Sequence, residues 1–279
     1  MLLEIGGRSL DLSQSIVMGI LNVTPDSFSD GGCFDHLEAA VDQAKVMLEQ
    51  GAQIIDIGGE STRPGAEAVS VEDELQRVIP VIKAIASIPN ILISIDTSKP
   101  EVMRRAIAAG ADMINDVSAL QLPGALEAAA ELGVPVCLMH MQGQPRTMQQ
   151  SPQYNDVAMD VREFLQQRVD ACVAAGIARK RLLLDPGFGF GKTLEHNYRL
   201  LSDLQKLQSL RLPLLIGISR KSMIGNLLNR PVEDRLAGSL SAAVIARMKG
   251  GQIFRVHDVA PTVDALKVID MTLTQTSAE

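Results

Sequence analysis

Two aspartates and an asparagine stand where short apolar runs end. Asp96, Asn115 and Asp185 each follow such a run directly. Carboxylates accept hydrogen bonds from ring N–H groups, and an amide both donates and accepts. We therefore expect these three side chains to bind a polar ring that carries several N–H donors. For either aspartate alone, an equally good interpretation is a short acidic side chain that caps the turn after its strand.

Basic side chains follow other apolar runs and suit an anionic group. They are Arg63, Arg220, Lys221, Arg255 and His257. The chain has 26 Lys+Arg against 33 Asp+Glu and a net charge of −7, so any attraction for an anion must be local. The acidic balance argues against nucleic-acid binding through a basic surface. A lone Arg or Lys is more often a solvated surface charge, but Arg255 follows Ile253-Phe254 at the end of a predicted strand.

Several familiar motifs fail on inspection. The segment 187–193, GFGFGKT, resembles a phosphate-binding P-loop, but Pro186 stands where that loop needs its first glycine, and Lys192 takes the third glycine place of a dinucleotide loop. Ser219 and His257 lack the context of a hydrolase triad. His140 is a lone histidine after an apolar run, which is more often structural than catalytic. The four histidines show no zinc-ligand spacing.

Eight apolar runs alternate with helix-like stretches. The runs are Ile16–Leu21, Ile54–Ile57, Ile91–Ile95, Met113–Ile114, Val136–Met139, Leu182–Leu184, Leu214–Ile218 and Ile253–Val256. Their Ile, Val and Leu content is typical of parallel strands buried on both faces. The helix-like stretches, several ended by glycine, are Leu37–Gln50, Ser70–Ala86, Pro100–Ala109, Gly124–Leu132, Val157–Ala175, Leu194–Leu207, Glu233–Met248 and Thr262–Thr274.

Eight strand–helix alternations in 279 residues predict a parallel eight-stranded (β/α)₈ barrel, with residues 1–279 as one domain. A doubly wound open sheet is the alternative, but it requires a Gly-rich turn after the first strand, and Asn22 is followed by Val23-Thr24-Pro25. In a barrel, the C-terminal strand ends share one rim. The polar sets above should therefore form one site.

Cysteine usage and hydropathy predict a cytoplasmic protein. Cys33, Cys137 and Cys172 are scattered, and none lies in a C-x-x-C spacing. No segment is long and apolar enough to span a bilayer. The first residues, Met-Leu-Leu-Glu-Ile, lack the basic start of a signal peptide.

Seven segments, in order, resemble the signatures of the dihydropteroate synthase family. They are 18–32 (MGILNVTPDSFSDGG), 55–65 (IDIGGESTRPG), 94–97 (SIDT), 114–116 (IND), 184–190 (LDPGFGF), 217–222 (GISRKS) and 255–258 (RVHD). The resemblance runs from about Ile16 to about Thr274. It implies a transferase of folate biosynthesis with a (β/α)₈ fold, which joins 6-hydroxymethyl-7,8-dihydropterin pyrophosphate to p-aminobenzoate and releases pyrophosphate. It also implies Mg²⁺, a homodimer and inhibition by sulfonamides.

The resemblance assigns side chains to three subsites. The pterin ring would contact Asp96, Asn115, Met139, Asp185, Lys221 and Arg255. The pyrophosphate would contact Asn22, Arg63, Arg255 and His257, with Mg²⁺ on Asn22. The p-aminobenzoate would contact Phe28, Thr62, Arg63, Pro64, Phe190 and Ser219. The catalytic contributions would come from Asp96, Asp185, Lys221 and Arg255. Of these, Asp96 and Asp185 would stabilise a pterin cation formed by dissociative loss of pyrophosphate.

Two other functions stay open from the residues. A related pterin-binding barrel that moves a methyl group from methyltetrahydrofolate to a corrinoid would share the pterin-binding aspartate and asparagine but need no pyrophosphate cations. A non-catalytic homologue would lose Asn22, Lys221 or Arg255, and all three are present. We also expect the long loops 23–34 and 60–70 to be mobile without ligands and to order over bound substrates.

Overall fold

The computed structural model describes residues 1–23, 33–61, 66–143, 148 and 151–276. The strands in these ranges are β1 (Leu2–Ile5), β2 (Arg8–Asp11), β3 (Ile16–Asn22), β4 (Ile54–Gly58), β5 (Ile93–Asp96), β6 (Met113–Asp116), β7 (Val136–Met139), β8 (Leu182–Asp185), β9 (Leu215–Ile216) and β10 (Ile253–Val256). The α-helices are α1 (Cys33–Glu49), α2 (Val71–Ile85), α3 (Pro100–Ala108), α4 (Ala125–Leu132), α5 (Val157–Ala174), α6 (Leu194–Ser202), α7 (Ser222–Leu228), α8 (Leu236–Met248) and α9 (Val259–Thr276).

Strands β3 to β10 form one parallel sheet that closes into a barrel. Their spatial order is β8-β7-β6-β5-β4-β3-β10-β9. The two end strands meet through a parallel bridge between Leu184 and Leu214, and the amide of Leu184 donates to the carbonyl of Pro213 at 2.9 Å. Each of the eight predicted runs overlaps one of these strands, and five of the strands extend one or two residues past the end of the run. The prediction of a (β/α)₈ barrel is therefore confirmed, and the open doubly wound sheet is excluded.

The barrel interior is apolar at its lower end. Side chains along each strand alternate between the interior and the surrounding helices, as the pleat requires. The lower interior layer belongs to a cluster that contains Met18, Ile54, Leu92, Met113, Cys137, Leu183, Leu215 and Ile253. A second cluster joins the outward-facing strand residues to the helices. Continuing each strand toward its C-terminal end brings the polar residues of the next interior layer to the upper rim.

An N-terminal hairpin, which the sequence analysis missed, closes the lower end. Strands β1 and β2 pair antiparallel around Gly6 and Gly7, whose φ values of 55° and 69° suit a tight hairpin turn. Leu3, Ile5, Leu10 and Leu12 are buried in the lower cluster. Burial of such side chains contributes about 1.5–3 kcal/mol each. The hairpin therefore seals the end opposite the polar rim.

The helices follow the predicted pattern with two differences. The stretch predicted as Leu194–Leu207 breaks after Ser202, and a 3₁₀ segment covers Leu204–Leu210. Helix α7 was not predicted because its seven residues carry too short a periodic pattern. Among the described helices, none has both the length and the apolar character required to traverse a bilayer.

Candidate active site

A row of four residues crosses the rim on neighbouring strands. Asn22 on β3 is paired in register with Gly58 on β4, Gly58 with Asp96 on β5, and Asp96 with Asn115 on β6. Because parallel strands in register place equivalent side chains on one side of the sheet, the row faces the barrel interior. Gly58 leaves a gap between its two polar neighbours. A Cβ at Gly58 would lie 3.8 Å from Oδ1 of Asn22 and 3.7 Å from Oδ2 of Asp96.

Arg255 links two aspartates inside the rim. Its Nε donates to Oδ2 of Asp56 at 2.5 Å, and its Nη2 donates to Oδ2 of Asp96 at 2.7 Å. Nδ2 of Asn115 donates to the same Asp56 oxygen at 3.2 Å. Asp56 is fully buried and Asp96 is 8% exposed. The guanidinium fork thus fixes carboxylates from two neighbouring strands.

Asp56 is a site residue to which the sequence analysis assigned no role, although it lies in the second apolar run. It lies within a predicted strand, two residues after the interior Ile54, so strand alternation alone points it into the barrel. Its Oδ1 is buried without a hydrogen-bond partner, and so is Oγ of Ser94, the register partner of Asp56 on β5. Buried polar atoms are costly when unpaired. Two such atoms below the rim indicate that the interior is built to receive a polar ligand.

Asp185 and Lys221 form the opposite side of the rim. Oδ1 of Asp185 accepts from the amide of Gly187 at 2.7 Å, so this aspartate does cap its turn, as one interpretation expected. Nζ of Lys221 donates to the carbonyl of Phe188 and lies 4.4 Å from the centre of the Phe190 ring. A Cβ at Gly217 would lie 3.7 Å from both Oδ2 of Asp185 and Nζ of Lys221. The second oxygen of Asp185 and the ammonium of Lys221 therefore border the same space beside Gly217, and their charges interact.

Burial controls the charge of this cluster. It raises the pKa of Asp96 to about 7, although Arg255 opposes the shift and the charge of Asp56 adds to it. Burial also raises the pKa of Asp185, partly offset by Lys221. It lowers the pKa of Lys221 to about 8, although Asp185 opposes that change. Burial disfavours the charged guanidinium of Arg255, but Asp56 and Asp96 outweigh it and raise its pKa.

The predicted set of cations is only partly assembled. Nε and Nη2 of Arg220 donate to the two carboxylate oxygens of Asp258, at 2.8 and 2.5 Å. The expectation that Arg220 joins the anion-binding set stays a prediction, and in this arrangement its guanidinium is paired with Asp258. His257 lies beside Ser219, with Nδ1 of the histidine 3.1 Å from Oγ of the serine. Met139, the register partner of Asp185, is buried on the interior side.

Four residues predicted to bind p-aminobenzoate lie outside the described residues, namely Phe28, Thr62, Arg63 and Pro64. The prediction that loops 23–34 and 60–70 are mobile without ligands falls largely on such residues as well. The base of the second loop is described. Oε1 of Glu60 accepts from the amide of Val69 at 3.1 Å, and its Oε2 accepts from Nζ of Lys99 at 2.5 Å. Lys99 also donates to the fully buried Glu74. The pairing of Lys99 with Glu60 and Glu74 was not predicted, because no sequence motif marks it.

The residues present fit a magnesium ion that is shared with a phosphate ligand. Among the described residues, no group of three or more His, Cys, Asp or Glu side chains could hold a metal by itself. Mg²⁺ commonly keeps several waters and binds through one or two protein oxygens plus substrate phosphates. The amide oxygen of Asn22 is a hard donor of this kind, at the gap left by Gly58.

Comparisons with known proteins agree with this geometry. The family profile described as "Pterin binding enzyme" matches residues 18–257. The dihydropteroate synthase of Escherichia coli (strain K12) is 60% identical over 267 residues, which cover 96% of this chain and 95% of that protein. The solved dihydropteroate synthase of Yersinia pestis, in a sulfonamide drug complex, has a TM-score of 0.94 and 57% identity, covering 98% of this chain and 100% of its own.

The solved enzyme of Xanthomonas albilineans in complex with 7,8-dihydropteroate has a TM-score of 0.89 and 50% identity, covering 98% of this chain and 99% of its own. Sequence and fold thus agree along nearly the full length of each relative. The chain belongs to the pterin binding enzyme family and, within it, to the dihydropteroate synthases, which are transferases.

Proposed function

We propose that the rim cluster condenses 6-hydroxymethyl-7,8-dihydropterin pyrophosphate with p-aminobenzoate, giving 7,8-dihydropteroate and pyrophosphate. The single observation that carries the proposal is the buried set of Asp56, Asp96, Asn115 and Asp185, with an unpaired carboxylate oxygen below the rim. A pterin ring has several N–H donors on one edge and needs this kind of acceptor set. The complexes of the relatives with dihydropteroate and with a sulfonamide drug support it.

Asp96, Asn115 and Asp185 bind the ring edge, and Met139 packs against the ring. Lys221 donates to the carbonyl side of the ring, and Arg255 covers one ring face. A planar guanidinium held by Asp56 and Asp96 is rigid enough to stack on a ring while it donates hydrogen bonds. The ionised carboxylates also stabilise positive charge that develops on the ring. The enzyme therefore lowers the barrier by positioning and electrostatics.

Pyrophosphate leaves from the methylene carbon as the C–O bond breaks, and the bonding electrons go to the departing oxygen. The dihydropterin ring supplies electron density to the methylene group, which favours a dissociative path. Asn22, Arg63, Arg255 and His257 bind the diphosphate. A bound Mg²⁺ would be held by Asn22 and would neutralise charge on the phosphate oxygens.

The amine of p-aminobenzoate then attacks the methylene carbon and loses a proton. An aromatic amine is neutral and nucleophilic at pH 7, so this step needs no strong general base. Phe190 and Ser219, together with Phe28, Thr62, Arg63 and Pro64, form the p-aminobenzoate site. Since sulfonamides mimic p-aminobenzoate, we expect them to compete for it.

Methyl transfer from methyltetrahydrofolate to a corrinoid is the alternative reaction of a pterin-binding barrel. Pyrophosphate release separates the two functions. Wild-type protein mixed with the pterin pyrophosphate and Mg²⁺ should release pyrophosphate in proportion to added p-aminobenzoate. Absence of release, together with methyl transfer to a corrinoid, would overturn the proposal. Pterin binding without turnover of either substrate pair would indicate a non-catalytic homologue.

A homodimer through α8 and α9 completes the proposal. Large apolar side chains on these helices are exposed, namely Ile245 (41%), Met248 (62%), Val268 (71%) and Met271 (64%). Such a patch suits a second copy of the chain. The variant Val268→Glu should lower the mass measured by light scattering from that of two chains to that of one. An unchanged mass would exclude this face. The buried thiols Cys137 and Cys172 agree with a reducing, cytoplasmic location.

A further inference from the structure

The loop 186–193 after β8, named here the β8 loop, contains a buried lysine that the proposed chemistry does not use. Lys192 is 3% exposed. Its Nζ lies 2.9 Å from Nδ1 of His140, 2.8 Å from the carbonyl of Gly187 and 3.1 Å from the carbonyl of Phe190. The two carbonyl oxygens accept from Nζ and favour the ammonium form, although burial lowers the pKa of Lys192. The P-loop-like lysine is thus directed at the backbone of its own loop and not at a phosphate.

His140 is a suitable permanent partner for that ammonium. Its ring packs edge-on against Phe164, with 4.9 Å between ring centres, and its amide donates to the carbonyl of Asp185 at 2.9 Å. Burial, reinforced by the charge of Lys192, lowers the pKa of His140 to about 2. The imidazole therefore stays neutral, and in the tautomer protonated on Nε2 its Nδ1 accepts from Nζ of Lys192.

The β8 loop lies directly on the end of β7. Gly187 and Gly191 have positive φ values of 70° and 60°. A Cβ at Gly187 would lie 1.8 Å from the carbonyl oxygen of His140, and a Cβ at Gly191 would lie 2.4 Å from that of Gln142. Only glycine permits this approach. Gly187 and Gly191 therefore let the backbone of the β8 loop pack against residues 140–142, which follow β7. This packing brings His140 within reach of the Lys192 side chain.

The upper side of the same loop holds Lys221. The carbonyl of Phe188 accepts from Nζ of Lys221, and the ring of Phe190 lies 4.4 Å from that ammonium. An ammonium over an aromatic face at this distance gains a favourable cation–π interaction. Lys192 donates to the carbonyl of Phe190 and so restrains the backbone that carries the Phe190 ring. The position of that ring in turn determines the surroundings of the Lys221 ammonium.

We propose that Lys192 and His140 are positioning residues that fix the backbone of Gly187 and Phe190, so that the Phe190 ring covers Lys221 and forms one wall of the p-aminobenzoate site. The assignment of that wall to p-aminobenzoate rests on the proposed function. The backbone part of the proposal does not, and it has a readout of its own.

Amide hydrogen exchange tests the backbone part without any substrate. The amide of Gly189 donates to Oδ1 of Asn197 at 2.7 Å, and that of Phe190 to the carbonyl of Gly187 at 3.1 Å. In Lys192→Met these two amides should exchange at least tenfold faster than in the wild type. The matched control is Tyr154→Phe, which removes only the hydroxyl that donates to the carbonyl of Gly191 at 2.7 Å. Unchanged exchange in Lys192→Met overturns the proposal.

Kinetics test the link to the second substrate. In Lys192→Met the KM for p-aminobenzoate should rise at least tenfold, and the Kd of a pterin analogue should rise by a smaller factor. Asp185 and Lys221 contact the β8 loop, whereas Asp96, Asn115 and Arg255 lie on other strands. The control Tyr154→Phe should change neither. Equal loss of both affinities, or an unchanged KM, overturns the positioning role. If Lys192→Met does not fold, His140→Leu, which removes one of the three contacts, carries the same test. A wild type without turnover refutes the proposed function and leaves the exchange result intact.

Discussion

Oδ2 of Asp56 accepts hydrogen bonds from both Nε of Arg255, at 2.5 Å, and Nδ2 of Asn115, at 3.2 Å. One carboxylate oxygen thereby joins three strands of the barrel, β4, β6 and β10, at the level where the interior turns from apolar to polar. The same guanidinium reaches Asp96 on β5. The ring-binding residues are therefore held in place before any ligand arrives, which reduces the ordering that binding must impose.

Replacing Asp96 by Asn should weaken pterin binding and leave the fold intact. The amide presents an N–H donor where the ring also presents donors, and it removes one partner of Arg255. Loss of a charged hydrogen-bond partner costs about 1.5–3 kcal/mol, which corresponds to roughly a tenfold to hundredfold higher Kd. Calorimetry with a pterin analogue measures the change. An unchanged Kd in the folded variant would remove Asp96 from the site.

Pterin affinity should depend on pH with a maximum between about 7 and 8. The pKa of Asp96 is raised to about 7, so below that pH the carboxyl gains a proton and loses its capacity to accept from a ring N–H. The pKa of Lys221 is lowered to about 8, so above that pH the ammonium is lost and no longer donates to the ring as strongly. Each limb changes the apparent Kd by up to about tenfold per pH unit.

Calorimetric titrations from pH 5.5 to 9.5 give this profile. The Asp96→Asn variant is the matched control, because an amide does not titrate and its acidic limb should flatten while the basic limb persists. A wild-type acidic limb identical to that of Asp96→Asn would show that another group controls it.

The Arg255→Lys variant should lose most of the activity of the wild type, although the positive charge is kept. A lysine ammonium reaches one carboxylate at a time, whereas the guanidinium holds Asp56 and Asp96 together. We expect kcat/KM to fall about a hundredfold, which corresponds to about 2.7 kcal/mol. Arg220→Lys is the control, since Arg220 pairs with Asp258 and should leave pterin affinity within threefold. A fully active Arg255→Lys enzyme would contradict the role given to the fork.

Lys99→Met should destabilise the fold strongly. Lys99 is the cation that pairs with Glu74, whose side chain is fully buried, and removing it leaves that carboxylate without compensation. Breaking a buried pair in this way costs about 3–5 kcal/mol. Denaturant unfolding measures the loss. Lys45→Met breaks an exposed pair with Asp42 and should cost less than about 1 kcal/mol. The double variant Lys99→Met/Glu74→Gln should recover part of the stability, and no recovery would contradict the pairing.

The sequence predicted a site residue wherever its polar side chain comes at the end of a recognisable apolar run. The runs before Asp96, Asn115, Asp185 and Arg255 predicted both the barrel and the meeting of these side chains at one rim. Asp56 was given no role because its partners Arg255 and Asn115 come from other strands and meet it only in the folded barrel. The pairing of Arg220 with Asp258 was likewise not predictable, because the two residues follow different strands. The β1–β2 hairpin lay before the first run, and its Gly6-Gly7 turn was its only local signal.

The most direct test of the proposed function is a product balance in one reaction. Wild-type protein, both substrates and Mg²⁺ are combined, and pyrophosphate and 7,8-dihydropteroate are quantified together over time. The proposed function predicts that they appear in equal amounts, that neither forms at a comparable rate without p-aminobenzoate, and that Asp96→Asn slows both together. Pyrophosphate without dihydropteroate, or neither product from folded wild-type protein that binds the pterin, would contradict it.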